Sequence, residues 1–135
     1  MIVVDTNVMM NFVFGGTGGA AAAELLRRDP AWAAPVILLS ELRNALVGVV
    51  RRGVATSEQV KAMGDDAAQV LGSRIVGVPG GLVIDTALAC GLTAYDAEFV
   101  AVARVLDTRL VTLDREILRS APDVAVPLAS ASSWT

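Results

Sequence analysis

Short β-branched runs that stop at an acid set the pattern of this chain. Ile2, Val3 and Val4 run into Asp5, and Leu110, Val111, Thr112 and Leu113 run into Asp114. Continuous apolar runs of this kind suit strands buried on both faces of a parallel sheet. Between them the apolar spacing turns helical. Asn7 is positioned to cap a helix reaching about Phe14, and Gly15–Gly19 ends it. Ala20–Arg28 is alanine-rich and predicts a second helix, closed by Asp29-Pro30. Trp32–Pro35 is a short link or strand, with Pro35 suited to the first turn of the next helix. Leu38, Leu39, Leu42, Ala45, Leu46, Val49 and Val50 recur at helical spacing, and Gly53 stops the run.

The later half repeats the alternation. Ser57 with Glu58–Leu71 predicts a more exposed helix, and Arg74–Val78 a strand. Pro79-Gly80-Gly81 breaks the chain, and Leu82–Cys90 is a small helix with Gly91 at its C-terminal cap. Thr93 is a good N-cap for a helix over Tyr95–Leu106. A short helix begins at Asp114. Val124–Leu128 is a last strand, at the sheet edge because of Pro127. Strands alternating with helices predict one α/β domain over residues 1–135, a parallel sheet between helices, with 129–135 as a loose tail. Gly16, Gly18 and Ala21 fit the spacing of a dinucleotide-binding turn, but a helix separates them from the strand, which favours a plain connection.

Composition narrows the chemistry. The chain has 135 residues, no histidine and one cysteine, Cys90. That removes His-based nucleophile pairs, His-ligated metals, cysteine zinc sites and an internal disulfide. Catalysis must then run on carboxylates, hydroxyls, arginines or a bound ion. The net charge of −3 is unlike that of most nucleic-acid binders, unless a metal neutralises several acids. The bases are arginines apart from Lys61, and arginine suits phosphate. No apolar leader precedes the first strand, and the uncharged stretch from Thr6 to Ala23 is too polar and glycine-rich for a membrane span. A cytoplasmic protein is expected. A hydrophobic content of 54% suggests that another chain covers some apolar surface.

Four acids break the pattern. Asp5 and Asp114 end strands, and the carboxyl edge of a parallel sheet is where open α/β folds keep their chemistry. Asp96 shares a helix face with Phe99, Val100, Ala103 and Leu106, an apolar stripe that must face the core. Arg104 points elsewhere on that helix. Glu41 lies among leucines early in its own helix. Each has a plain reading as a cap or as an acid favoured by the helix dipole. Brought together at ~5 Å in an effective dielectric of ~20, each pair would repel by about 3 kcal/mol. Such a cluster takes up protons or binds a cation, and hard oxygen ligands suit Mg²⁺ or Mn²⁺.

The order Asp5-Thr6-Asn7, Ser40-Glu41-Leu42, Leu92–Ala97 (LTAYDA) and Leu110–Glu116 (LVTLDRE) resembles the PIN-domain family, and within it the VapC-type toxins of bacterial toxin–antitoxin pairs. The likeness runs from Met1 to about Leu128. It implies a three-layer α/β/α sandwich with a central parallel sheet and a magnesium-dependent endoribonuclease. The family's acids fall on Asp5, Glu41, Asp96 and Asp114, and its small polar helpers on Asn7 and Thr112. It also implies a homodimer restrained by a small DNA-binding, VapB-like antitoxin. Glu116 stands where some relatives carry a further acid.

The expected reaction is hydrolysis of RNA phosphodiester bonds by metal-activated water. Asp5, Asp96 and Asp114 would hold one or two ions, Glu41 would bind directly or through water, and Asn7 and Thr112 would orient the ligands. Arg52, 11 residues past Glu41, lies within about 20° of its helix face and some 16 Å along it. With Arg115, beside Asp114, it is a candidate grip for RNA phosphate. Two other readings remain open. A carboxylate–magnesium phosphatase would want a second Asp where Asn7 stands and a lysine after Lys61. An inert PIN-like shell would only hold a partner.

Overall fold

The computed structural model describes residues 1–131. Five short strands are β1 (Ile2–Val4), β2 (Trp32–Pro35), β3 (Ile75–Val76), β4 (Leu110–Thr112) and β5 (Ala125–Pro127). They form one parallel sheet in the order β3-β2-β1-β4-β5. The helices are α1 (Thr6–Phe14), α2 (Gly19–Arg28), α3 (Ile37–Arg51), α4 (Ser57–Leu71), α5 (Gly80–Cys90), α6 (Ala94–Val105), α7 (Arg115–Ser120) and α8 (Leu128–Ala131). β1, β2 and β4 are buried along their whole length, as their unbroken apolar runs require.

Strand order explains the layers. From β1 the chain steps outward through β2 to β3, then returns across the sheet to β4 and on to β5. Parallel crossovers are right-handed in about 98% of cases. Reversing the direction of travel therefore sends the connecting helices to the opposite face. The helices α1 to α4 pack among themselves on one side, and α6 lies on β1, β2 and β4 with α5 beside it. The result is a three-layer α/β/α sandwich. The direction reverses between β1 and β4, and open α/β sheets part to form a crevice at such a point.

Caps mark the element ends. Gly15 and Gly91 take the left-handed conformation (φ 81° and 66°) that ends α1 and α5. Thr93 caps α6 by accepting a hydrogen bond from the Asp96 backbone N–H at 3.1 Å. Thr56 and Gln59 form a reciprocal capping box at the start of α4.

Several expected boundaries move. Asp5, rather than Asn7, caps α1, because the helix starts directly after the strand with no loop between them. Pro35 ends β2, paired with Val76, instead of opening α3; its fixed φ also suits an extended strand end. Gly80 and Gly81 lie inside the first turn of α5 rather than in a break, where backbone N–H groups need no helical partner. The last strand is shorter than Val124–Leu128, although β5 does form a sheet edge. Residues 129–131 continue α8 instead of beginning a loose tail; residues 132–135 lie outside the described residues.

Candidate functional site

Asp5 stands at the junction of β1 and α1. Its backbone N–H donates to the Val111 carbonyl at 3.0 Å, extending the β1–β4 ladder by one residue. Its side chain is turned back onto the chain: Oδ1 accepts from the Thr6 backbone N–H at 2.7 Å, and Oδ2 accepts from the Thr112 hydroxyl at 2.6 Å. The Asn7 amide lies 3.4 Å from the same Oδ2. Asp5 is only 6% exposed.

Thr112 ties the two strand ends together. Its hydroxyl donates to Asp5 and accepts from the Asp114 backbone N–H at 3.0 Å. The Asn7 side-chain oxygen accepts from the Leu113 backbone N–H at 3.3 Å. Asp114 caps α7 through Oδ1, which takes the N–H groups of Glu116 and Ile117. Its other carboxylate oxygen has no hydrogen bond among the described residues.

Glu41 arrives from α3. Its Oε1 accepts from the Thr6 hydroxyl at 2.6 Å. Asp96 arrives from the first turn of α6, and its carboxylate makes no hydrogen bond or ion pair among the described residues. The basic residue on that helix, Arg104, is paired with Asp123 at 2.9 Å. Around Asp96 the helix is buried on more than a stripe, since Ala101 and Val102 are as enclosed as Phe99, Val100 and Ala103.

These four acids line one cleft of about 360 Å³, with Thr6, Asn7, Met10 and Ala45. It opens at the β1–β4 reversal. No Lys or Arg lines it. Burial pushes the Asp5 carboxyl up to about 6; hydrogen bonds from Thr112 and Thr6 oppose this, and the charges of Asp96 and Glu41 add to it. Asp96 is also raised, first by burial and then by the charges of Asp114, Glu41 and Glu116. Like charges held in a partly dry cleft destabilise one another until a proton or a cation joins them.

The donor set suits a hard divalent cation. Apart from the soft thioether of Met10, every lining side chain able to ligate offers oxygen, and the Asp96 carboxylate is unclaimed among the described residues. Among the described residues, no three acid or cysteine side chains are grouped closely enough to enclose an ion by themselves. Mg²⁺ does not ask for that, because it keeps several waters and takes one or two carboxylates.

The remaining candidates lie outside this cleft. Arg52 is the C-cap of α3, and its guanidinium folds back toward Gly48. Arg115 opens α7 on the exposed surface, and Glu116 follows it. Conversely, Thr6 was not among the residues singled out for a role. Its signal lay in plain view, as a hydroxyl between two candidate site residues in Asp5-Thr6-Asn7. Its partner, 35 positions away, was not visible.

Comparison with known proteins bears on the fold and the family. The crystal structure of PAE2754 from Pyrobaculum aerophilum superposes with a TM-score of 0.77 at 21% identity, over 98% of this chain and 89% of that one. That likeness is one of fold. No curated protein sequence matches. Residues 2–122 match the PIN domain, a family generally made up of nucleases that usually bind divalent metal ions. The chain is therefore a member of the PIN-domain family.

Proposed function

We propose that this protein is a Mg²⁺- or Mn²⁺-dependent endoribonuclease acting as the toxin of a toxin–antitoxin pair. The observation that carries the nuclease reading is the cleft itself: Asp5, Glu41, Asp96 and Asp114 face one another with no cationic side chain among them. Asp5, Asp96 and Asp114 would hold the ion or ions, with Glu41 beside them. Bound there, a divalent ion would lower the pKa of a coordinated water and neutralise charge on the scissile phosphate.

The chain's own residues do the rest. Thr112 and the Thr6 backbone N–H hold both oxygens of Asp5, so that this carboxylate has one orientation. Asn7 braces the turn before Asp114 through Leu113. Asp114 spends one oxygen on the start of α7 and keeps the other for the cleft. Arg52 and Arg115, at the periphery, would meet RNA phosphates flanking the cut.

The toxin role, the VapB-like antitoxin, the homodimer and the cytoplasmic location belong to the same proposal. Ile84 and Leu88, one turn apart on α5, are 57% and 79% exposed, an apolar face that suits a protein partner. Among the described residues no single helix is long and apolar enough to cross a membrane.

Replacing Asp96 tests the nuclease directly. Asp96→Asn should lose RNA cleavage by at least a hundredfold while remaining folded and no less stable than the wild type. The wild-type products should carry a 5′-phosphate and a 3′-hydroxyl. Full activity in the variant, or a 2′,3′-cyclic phosphate end, would refute the assignment.

A further inference from the structure

Glu41 is joined to the rest of the cleft by a single side-chain hydrogen bond among the described residues, the one it accepts from Thr6. Its position is otherwise weakly specified. It is half-buried on α3 and has a long, freely rotating side chain. Thr6, by contrast, is held firmly. It is the first residue of α1, and its backbone N–H is committed to Asp5 Oδ1 at 2.7 Å. One threonine thus joins two carboxylates from distant parts of the chain, Asp5 through its backbone and Glu41 through its hydroxyl at 2.6 Å.

The direction of this bond matters. The hydroxyl donates, so it occupies one lone pair of Glu41 Oε1 and leaves Oε2 without a partner. The Thr112 hydroxyl treats Asp5 in the same way. Groups that fix a metal ligand's orientation typically change affinity by 10–100-fold when removed.

We infer that Thr6 is a positioning residue, whose hydroxyl holds the Glu41 carboxylate in place for the divalent ion that the cleft takes up. This rests on the metal-dependent reading above, and the experiment separates the two. Mn²⁺ is titrated calorimetrically into the wild type, T6V, T6S, E41Q and the T6V/E41Q double variant, with thermal unfolding of each metal-free protein alongside. T6V keeps the branched shape and removes the donor; it should bind Mn²⁺ about tenfold more weakly. T6S keeps the donor and should bind within twofold of wild type. In the E41Q background, T6V should add no further loss, because its only route to the ion has gone.

Wild-type affinity in T6V, or an equal loss with and without Glu41, would overturn the role of Thr6 while leaving the metal site standing. A wild-type protein that takes up no Mn²⁺ would overturn both. Should T6V fail to fold, Thr6→Ala measured in the same two backgrounds decides the matter by the same coupling.

Discussion

Asp5 shows how much one residue can be asked to do. It continues a strand ladder with its N–H, caps a helix with one carboxylate oxygen and takes a threonine hydroxyl on the other. It does so almost fully buried, and burial moves its pKa from 3.8 to about 6. The folded chain therefore binds this proton more tightly than the unfolded chain. Between pH 3.8 and about 6 stability falls as pH rises, and above that window the buried charge costs about 3 kcal/mol. The metal-free protein should accordingly melt at higher temperature near pH 5 than near pH 7. Asp5→Asn, which carries no charge, should flatten that slope. An identical slope in wild type and variant would place the effect elsewhere. Asp96 is raised in the same direction but is far more open to water, so its share is smaller.

At the scale of elements, the site depends on how each one starts. β1 passes into α1 with no intervening loop, which is why Asp5 and Thr6 belong to strand edge and helix at once. α6 begins at Thr93, whose hydroxyl accepts the Asp96 N–H, so the cap and the site acid share one turn. Thr93→Ala should lower stability by about 1 kcal/mol in urea unfolding. It should also speed amide exchange at Asp96 more than at Phe99, which lies just under a turn further on and is fully buried. Uniform exchange along the helix would show that tertiary packing, not the cap, holds its first turn. Much of this was legible in residue types: the hydroxyl at Thr93, the glycines at Gly15 and Gly91, the unbroken apolar run at Ile2–Val4. The misread starts, at Asn7, Pro35 and Gly80, are places where one residue suits two conformations and only its neighbours choose between them.

For the whole molecule, the decisive feature is the reversal of direction between β1 and β4. It puts Asp5 and Asp114 side by side, and the helices on the two faces then bring Glu41 and Asp96 to the same cleft. Such a charged crevice is a strained element of the metal-free fold. A divalent ion that binds only the folded state should stabilise it by about 2.7 kcal/mol at a hundred times its dissociation constant. For a domain of this size that is a rise of about 9 °C in Tm. The rise should vanish in Asp5→Asn combined with Asp96→Asn, and Na⁺ at equal ionic strength should not reproduce it. An equal rise with Na⁺ would mean general screening rather than a site.

Residue order alone determined which segments are buried strands, where most helices begin and end, and which four acids are out of keeping with their surroundings, because these follow from local spacing and local chemistry. The absence of histidine likewise narrows the chemistry by composition alone. Only the tertiary structure decided that the Thr6 hydroxyl meets Glu41, that Thr112 spans Asp5 and the Asp114 backbone, and that Arg52 and Arg115 stay outside the cleft. Those contacts join residues up to 107 positions apart, and the distance between them is set by the crossover of strands, which no local pattern records.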